Sequence, residues 1–400
     1  MGKRALEGLR VLEMGQLIAG PSAARMLAEF GAEVIKVETP EQGDPIRNWR
    51  VVENGTSLWW YVQSRNKKSI TVNLREAEGQ ELIRKLVKEI DILIENFRPG
   101  TMEKWGLGYE DLKAINPGLI MIRVSGYGQD GPYRDKPGFG SIGEALGGLR
   151  YITGYPDRPP TRVGISIGDS LSALFAVNGA LMAVYHRDVN GTGEGQVIDV
   201  ALYESVFSMM ESTLPEFDRA GVIRERTGST LPGITPSNTY MCGDGKYVVI
   251  GANGDAIFKR LMNAMGHEDV AEDPRFENNS KRSEHAEYLD SLIEDWTKSM
   301  PFDEIMTYLD NANVPAGAIY SIEDIVNDPH YHARQMIQEV KVEELGTTLK
   351  MPGIIPKMSE TPGTIEWAGP KLGQHTNEVL GDKINLSADE IQKLKEKGII

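Results

Sequence analysis

The residue whose type and setting could support covalent chemistry is Asp169, in the stretch VGISIGDSLSALFAVNGALMAVYHR. The residues before Asp169 predict an apolar strand with glycines, and those after it predict a helix that is apolar on almost every face. A carboxylate that is ionised at neutral pH can act as a nucleophile, and N–H groups at a helix start can stabilise an oxyanion. The glycines in GISIGDS would let backbone and a bulky ligand approach closely.

The same position has a structural explanation. An aspartate directly before an apolar helix is a preferred N-cap, and such a cap stabilises a helix by about 1 kcal/mol. The residue pattern by itself leaves both interpretations of Asp169 open.

Strand and helix patterns alternate along the first half of the chain, where they would position Asp169. Strands are predicted in GLRVLEM, AEVIKVE, SITVNL, DILIENF and GLIMIRVSGYG, and helices in GPSAARMLAEFG and EAEGQELIRKLVKEI. A further strand and helix are predicted in QVIDVALYESVFSMM. Repeated strand–helix–strand units indicate an α/β fold with a parallel sheet covered on both faces.

A change in composition divides the chain. The segment EFDRAGVIRERTGSTLPGITPSN is rich in Gly, Pro, Ser, Thr and charged residues, and it predicts a linker over residues 215–238. We therefore expect a large first part over residues 1–214 and a smaller α+β domain over residues 239–325. Near the end of the chain, Ser387 and Glu390 have the spacing of a capping box for a final helix.

Composition excludes several classes of protein. A formal net charge of −15 disfavours nucleic-acid binding, because phosphate backbones bind basic surfaces. The single cysteine, Cys242, excludes an intramolecular disulfide and, with no signal-like amino terminus, indicates the cytoplasm. The longest apolar run, residues 171–185, contains two polar residues and falls short of the ~20 residues of a membrane span, so we expect a buried helix and no membrane partner.

Known cofactor and metal motifs are also missing from the sequence. The loop GQLIAG before the first helix is not the G-x-G-x-x-G of dinucleotide-binding proteins, although Glu38 stands where a ribose-binding acid would. The six histidines show no ligand array, and the close pair His330 and His332 is typical of a helix start at the surface. We therefore predict no metal site.

A set of segments in a fixed order resembles the class III coenzyme A (CoA) transferases, the family that includes formyl-CoA transferase, carnitine CoA transferase and bile-acid-inducible CoA transferase. The segments are GPSAARMLAEFGAEVIKVE, NKKSITVNL, ENFRPGTMEKWGLGYEDL, INPGLIMIRVSGYGQDGPY, GISIGDS, GEGQVIDVALYESV, NVPAGAIYSIEDIVNDPHYHARQMI and GQHTNEVL. The resemblance implies a Rossmann-like large domain built from both chain ends, with residues 326–400 returning to it. It also implies an interlocked homodimer.

The resemblance assigns a role to Asp169, which matches the family's catalytic aspartate. It implies transfer of CoA from an acyl-CoA donor to a free carboxylic acid through an aspartyl anhydride and an aspartyl-CoA thioester. Acyl-CoA is then a substrate, and no tightly bound cofactor is expected.

The resemblance also implies a set of CoA contacts on the large domain. The matching positions are Ile18, Ala19, Val72, Asn73, Leu74, Arg75, Asn96, Phe97, Arg98, Lys104 and Phe139. Two positions depart from formyl-CoA transferase: Lys104 stands where that relative has an arginine, and Thr39 stands in place of a phosphate-binding arginine. A lysine keeps the charge without the bidentate fork of arginine, and Thr39 puts the phosphate contact there in doubt.

The predicted acyl pocket differs from that of formyl-CoA transferase as well. Gly140 replaces a glutamate, which argues for an acid larger than formate or oxalate. Gly251 and Gly254, in GANGD, form a candidate substrate loop. The segment FGSIGEALGGLRYITG resembles transferases that use succinyl-CoA as donor and malate or citramalate as acceptor.

Two rival functions remain. An α-methylacyl-CoA racemase would share the fold, but racemases carry a histidine in a G-H-D segment where this chain has Gly138, Phe139 and Gly140. Phenylalanine cannot accept a proton. The other rival is a noncatalytic acyl-CoA-binding protein, against which Asp169 in its full GISIGDS context argues.

Overall fold

The structure, a computed structural model, describes residues 4–400. Its strands are β1 Arg10–Glu13, β2 Glu33–Glu38, β3 Val52–Glu53, β4 Thr56–Ser57, β5 Lys67–Thr71, β6 Ile92–Glu95, β7 Ile120–Ser125, β8 Val197–Ala201, β9 Ser237–Met241, β10 Tyr247–Gly251, β11 Ala316–Ala318, β12 Ile337–Val342 and β13 Thr347–Pro352.

The helices largely alternate with strands in the first half of the chain, as expected, and follow one another between β10 and β11. They are α1 Ala19–Glu29, α2 Leu58–Gln63, α3 Ala77–Val87, α4 Thr101–Lys104, α5 Tyr109–Lys113, α6 Gly140–Leu146, α7 Leu149–Ile152, α8 Ile167–Val184, α9 Leu202–Phe207, α10 Thr213–Ala220, α11 Asp255–Ala264, α12 Glu268–Ala271, α13 Asn279–Ser283, α14 Ala286–Lys298, α15 Phe302–Asn311, α16 Ile322–Asn327, α17 Pro329–Ala333, α18 Thr376–Ile384 and α19 Ala388–Glu396. A π-helical turn, Tyr185–Val189, continues α8.

The central sheet has six strands in the order β5-β2-β1-β6-β7-β8, and every neighbouring pair is parallel. Counted along the chain, this order is 3-2-1-4-5-6, which is the order of the doubly wound Rossmann fold. The predicted α/β fold with a central parallel sheet is confirmed.

Helices cover both faces of this sheet. Successive strand residues point to opposite faces, so Val11 belongs to one core and Leu12 to the other. The first core lies under α1 and α8, and the second lies under α3 and the carboxy-terminal helices α18 and α19. Both faces of the sheet are therefore buried away from water, as is typical of a parallel sheet.

The chain divides into two compact units. The first contains the chain up to Leu149, Val163–Val222 and His332–Ile400, and the second contains Arg150–Arg162 and Ile223–Tyr331. In the second unit, an antiparallel sheet in the order β11-β10-β9 has its own apolar core. The predicted linker includes most of α10, which begins two residues before it, and the predicted domain limits stay predictions.

Local predictions at the chain ends and in the histidine pair agree with the structure. Ser387 and Glu390 form the predicted capping box of α19. His330 and His332 are exposed on α17, at the surface as expected.

The region around Asp169 differs from the prediction. No strand forms over residues 161–166, and α8 begins at Ile167 with Ser166 as its N-cap residue. Asp169 lies in the first turn of the helix, so the N-cap interpretation is wrong. A short apolar run fits the start of a helix as well as a strand, and here the helix extends three residues further towards the amino terminus than expected.

Helix α8 also differs from the buried helix that was expected. One stripe of alanines is buried, comprising Ala173, Ala176, Ala180 and Ala183, while Leu174, Leu181, Met182, Tyr185 and Val189 are exposed. In the described residues, 4–400, the segment Ile167–Val189 is the one helix long and apolar enough to cross a membrane by length and composition, and 33% of the apolar 18-residue window within it is buried. The expectation that this run is too short is wrong, because the helix continues past its polar residues.

Candidate active site

The carboxylate of Asp169 rests directly on Gly140, the first residue of α6. A β-carbon built on Gly140 would lie 2.8 Å from Cγ of Asp169, and still closer to its Oδ2 atom. Any side chain at this position would therefore displace the carboxylate. The structure brings these two predicted site residues together, and the predicted role of Gly140 in an acyl pocket stays a prediction.

A row of glycines lets α6 pack closely against its neighbours. A β-carbon on Gly143 would lie 2.8 Å from Cβ of Leu202, and one on Gly147 would lie 2.6 Å from Cβ of Val206. At the start of α8, a β-carbon on Gly168 would lie 3.1 Å from the carbonyl oxygen of Gly140. These close approaches fix the first turn of α8, and with it Asp169, against α6.

Sequence analysis missed a second carboxylate at this junction, that of Glu144. Its side chain is fully buried, and its Cγ atom lies 3.3 Å from a β-carbon built on Gly168. Glu144 follows Gly140 by four residues, which places both on one face of α6. That spacing is the sequence signal that could have revealed it.

Most of the predicted CoA contacts follow the carboxyl ends of strands in the central sheet. Ile18 and Ala19 follow the carboxyl end of β1, residues 72–75 follow β5, and residues 96–98 follow β6. The strand order reverses between β1 and β6, and doubly wound proteins bind ligands outside the carboxyl ends of their strands at such a point.

Asn96 links the loops after β1 and β6. Its side-chain oxygen accepts the N–H of Gln16 at 2.7 Å, and its side-chain nitrogen donates to the carbonyl of Gln16 at 2.8 Å. This amide is therefore already engaged within the protein. The structure gives Asn96 a loop-holding role beside its predicted contact with CoA.

Other predicted contacts offer backbone only. The side chains of Ile18, Ala19, Val72 and Leu74 are buried in the protein. A ligand at these positions would meet main-chain atoms, which agrees with the backbone approach expected for the loop after β1.

The predicted basic contacts are exposed. Arg75, Arg98 and Lys104 lie at the surface, and within residues 4–400 none of their side chains forms an ion pair. Three basic side chains without an ion-pair partner lie near this sheet edge. They can attract an anionic ligand although the chain as a whole carries a net negative charge. Phe139 is 67% exposed at the start of α6.

Glu38 is not available to bind a ribose. Arg47 donates to both of its carboxylate oxygens, at 2.7 and 2.8 Å, and Ser69 donates to one of them at 2.6 Å. Thr39, its neighbour, donates its hydroxyl to the carbonyl of Gly43 at 3.2 Å. This pairing agrees with the absence of a dinucleotide-binding glycine motif in the sequence.

A buried ion-pair cluster supports the loop after β6. Glu95 accepts the N–H of Phe97 at 2.7 Å and Nε of Arg123 at 2.8 Å, and Arg123 also contacts Glu103 at 2.6 Å. Burial raises the pKa of Glu95 to about 7, although Arg123 opposes the shift. The cluster therefore ties both ends of the segment 96–104 to β7.

The glycine loop with Gly251 and Gly254 belongs to the second unit. A β-carbon on Gly251 would meet no atom within 4 Å, so close packing does not require glycine there. Arg282, fully buried, donates to the carbonyl of Asn253 at 2.5 Å and to Asp255 at 2.8 Å. Its other nitrogens donate to the carbonyls of Thr235 and Phe276, so one guanidinium holds this loop.

Replacing Arg282 with methionine is expected to lower the free energy of unfolding by about 3 kcal/mol, because buried carbonyls lose their donors. Urea unfolding of Arg282→Met measures this change. The control is the neighbouring Lys281→Met, which removes an exposed ion pair with Glu277 and an exposed hydrogen bond to the carbonyl of Pro274, and is expected to cost less than about 0.5 kcal/mol. Equal stability of the two variants would contradict the loop-holding role of Arg282.

Metal binding has no support in the described residues. Over residues 4–400, no group of three or more His, Cys, Asp or Glu side chains is placed to hold a metal ion.

The chain is similar to known proteins along almost its whole length. The family model described as CoA-transferase family III matches residues 6–376. Succinyl-CoA–D-citramalate CoA-transferase of Chloroflexus aurantiacus is 54% identical over 99% of this chain and 98% of its own, and the beta subunit of succinyl-CoA–L-malate CoA-transferase from that organism is 42% identical over the same shares. A solved CAIB/BAIF family protein from Brucella suis is 33% identical, with a TM-score of 0.84, over 96% of this chain and all of its own.

Proposed function

The chain belongs to CoA-transferase family III and is a class III CoA-transferase, and on that premise we propose that Asp169 is its nucleophile. The observation that carries the proposal is the position of the Asp169 carboxylate, in the first turn of an 18-residue helix and against a glycine that leaves it room. The positive end of the α8 dipole stabilises negative charge at this point, both on the carboxylate and on an oxyanion that forms beside it.

The proposed reaction proceeds in four steps. The Asp169 carboxylate attacks the thioester carbonyl carbon of the donor, which forms an acyl-aspartyl anhydride and expels CoA thiolate. The thiolate attacks the aspartyl carbonyl carbon, which forms an aspartyl-CoA thioester and releases the donor acid. The acceptor carboxylate then attacks this thioester, which forms a second anhydride and expels CoA thiolate again. In the last step this thiolate attacks the acceptor's acyl carbon, which releases the acceptor's CoA ester and restores the Asp169 carboxylate.

The atoms and charges of this cycle balance without another reactant. Each step breaks one acyl bond and makes another, so exchange between acids of similar activation needs no ATP. Water would hydrolyse the two anhydrides and the thioester, so the site must exclude it.

For the substrates, we propose succinyl-CoA as donor and a small dicarboxylate, such as citramalate or malate, as acceptor. Two relatives that match nearly the whole chain are named for these reactions, at 54% and 42% identity. Gly140 supports a different acyl pocket from that of formyl-CoA transferase, because no side chain fits between its backbone and Asp169.

Product analysis tests the substrates. The purified chain is incubated with succinyl-CoA and, separately, with D-citramalate, L-citramalate, D-malate, L-malate and formate, and the new CoA esters are identified by mass spectrometry. We expect the CoA ester of a citramalate or malate enantiomer and none of formate. Formyl-CoA as the main product would overturn the substrate proposal, and no ester with any acceptor would overturn the transfer proposal for a single chain.

We further propose that the enzyme is a homodimer. The exposed apolar stripe on α8, which includes Leu174, Leu181 and Met182, is the kind of surface that a protein covers with a partner. A second copy of this chain is the proposed occupant, as the family resemblance implies.

The chain lacks the histidine base that an α-methylacyl-CoA racemase needs. At the position of the racemase histidine the chain has Phe139, whose side chain cannot exchange a proton. Hydrogen exchange at the α-carbon of the acyl group is therefore not expected.

A further inference from the structure

The loop between β1 and α1 contains a backbone conformation that needs support. Leu17 has a φ angle of 64°, in the left-handed region that a bulky residue rarely adopts. Ile18 and Ala19, which follow it, are the predicted backbone contacts for CoA. A strained residue at a ligand-binding loop persists only where surrounding groups hold it.

Side chains from four other segments of the chain form hydrogen bonds with the backbone of residues 15–18. Asp44 accepts the N–H of Leu17 through both oxygens, at 3.1 and 3.2 Å. Gln63 donates to the carbonyls of Leu17 and Ile18 at 3.3 and 3.1 Å. Asn96 pairs with Gln16 as described above, and Lys36 donates to the carbonyl of Gly15 at 2.7 Å.

Asp44 is itself fixed by a buried cation. Lys36, which is 1% exposed, contacts Asp44 at 2.9 Å and Glu13 at 2.8 Å. Burial would raise the pKa of Asp44, but Lys36 and the N–H groups of Ile46 and Leu17 outweigh it, so the pKa lies below its ordinary value. The carboxylate that holds Leu17 is therefore ionised at neutral pH, and a charged acceptor makes the stronger hydrogen bond.

We infer that Asp44 is a positioning residue for acyl-CoA: by holding Leu17 in its left-handed conformation, it fixes the backbone of Ile18 and Ala19 where CoA binds. The inference rests on the proposed function, since it needs CoA at this loop. Asp44 touches no reacting atom in this role. Its loss should weaken CoA binding while the chemistry at Asp169 continues.

The test compares Asp44→Asn with the wild type, using succinyl-CoA for kinetics and free CoA for calorimetric titration. The variant exchanges a charged acceptor for a neutral amide oxygen, and the weaker hydrogen bond to Leu17 is expected to raise KM and the Kd for CoA by about tenfold. We expect kcat to change by less than about threefold, because an interaction made equally in the ground state and the transition state affects KM alone.

A second variant tests the same inference in case Asp44→Asn does not fold. Gln63→Met removes the donor to Leu17 and Ile18 without leaving a buried charge unpaired, and it is expected to raise KM and Kd in the same direction. The control is Glu29→Gln, which disturbs a buried ion pair with Arg65 at the other end of α1. It is expected to lower the melting temperature without changing KM for succinyl-CoA.

The outcomes separate the inference from the proposed function. A wild type that binds CoA and turns over, with unchanged KM and Kd in Asp44→Asn and Gln63→Met, would overturn the inference alone. So would a rise in KM for Glu29→Gln equal to that for Asp44→Asn, since the effect would then be one of general destabilisation. A wild type that neither binds CoA nor transfers it would overturn both proposals.

Discussion

Substituting Asp169 with asparagine is expected to lower kcat for CoA transfer by at least about a thousandfold, because the variant lacks the oxygen nucleophile that forms both covalent intermediates. The fold should persist. The substitution removes a charge from the first turn of α8, which costs about 0.3–1 kcal/mol through the helix dipole. Steady-state rates with succinyl-CoA and a citramalate acceptor, together with the thermal midpoint, measure the two effects.

A covalent intermediate gives the sharper observation. Intact-protein mass spectrometry after mixing with succinyl-CoA should show an adduct on the wild type, mapped to Asp169, and none on Asp169→Asn. The matched control is Asp111→Asn, which makes the same chemical change at the third position of another helix, α5. An adduct on Asp169→Asn, or equal turnover by this variant and the control, would remove Asp169 from the mechanism.

The architecture of the sheet could be predicted because its signals are local. Runs such as AEVIKVE combine β-branched residues with neighbouring turns, and the structure has strands there with Ile35 and Val37 in the core. The order of strands along the chain and the helices between them then indicate a parallel sheet. No long-range contact is needed for this step.

The buried charges could not be predicted in this way, because their partners meet only through strand pairing. From the sequence alone, Lys36 would be predicted to be an ordinary exposed lysine. In the structure, β1 and β2 pair in a register that places Glu13 beside it. Asp44 joins them from the loop after β2. Once the strand order is known, opposite charges at paired positions become a usable signal.

The site around Asp169 was predictable in part. The resemblance identified Asp169, but the contact with Gly140 depends on how α6 packs on α8 and α9. That packing is set by Gly143 and Gly147 against Leu202 and Val206, residues about 60 positions away in sequence. The sequence shows these residue types, but it does not show that they come into contact in the fold.

This contact with Gly140 leads to the last prediction. Gly140→Ala is expected to lower kcat for CoA transfer by about a hundredfold, because the new methyl group must displace the Asp169 carboxylate, and a shift of about 1 Å at a reacting group has an effect of this size. Stability should remain similar, because Gly140 is the first residue of α6 and the group that must move is the end of a side chain. Activity would then fall without a matching loss of stability.

The matched control for this variant is Gly317→Ala. Gly317 lies in β11 of the second unit, and a β-carbon there meets no atom within 4 Å, so this variant should keep its rate. Parallel measurements of kcat and of the thermal midpoint compare the two substitutions. Full activity in Gly140→Ala would mean that the reacting carboxylate does not use the position over Gly140, whereas a slow but stable variant would show that this glycine keeps the nucleophile in its working place.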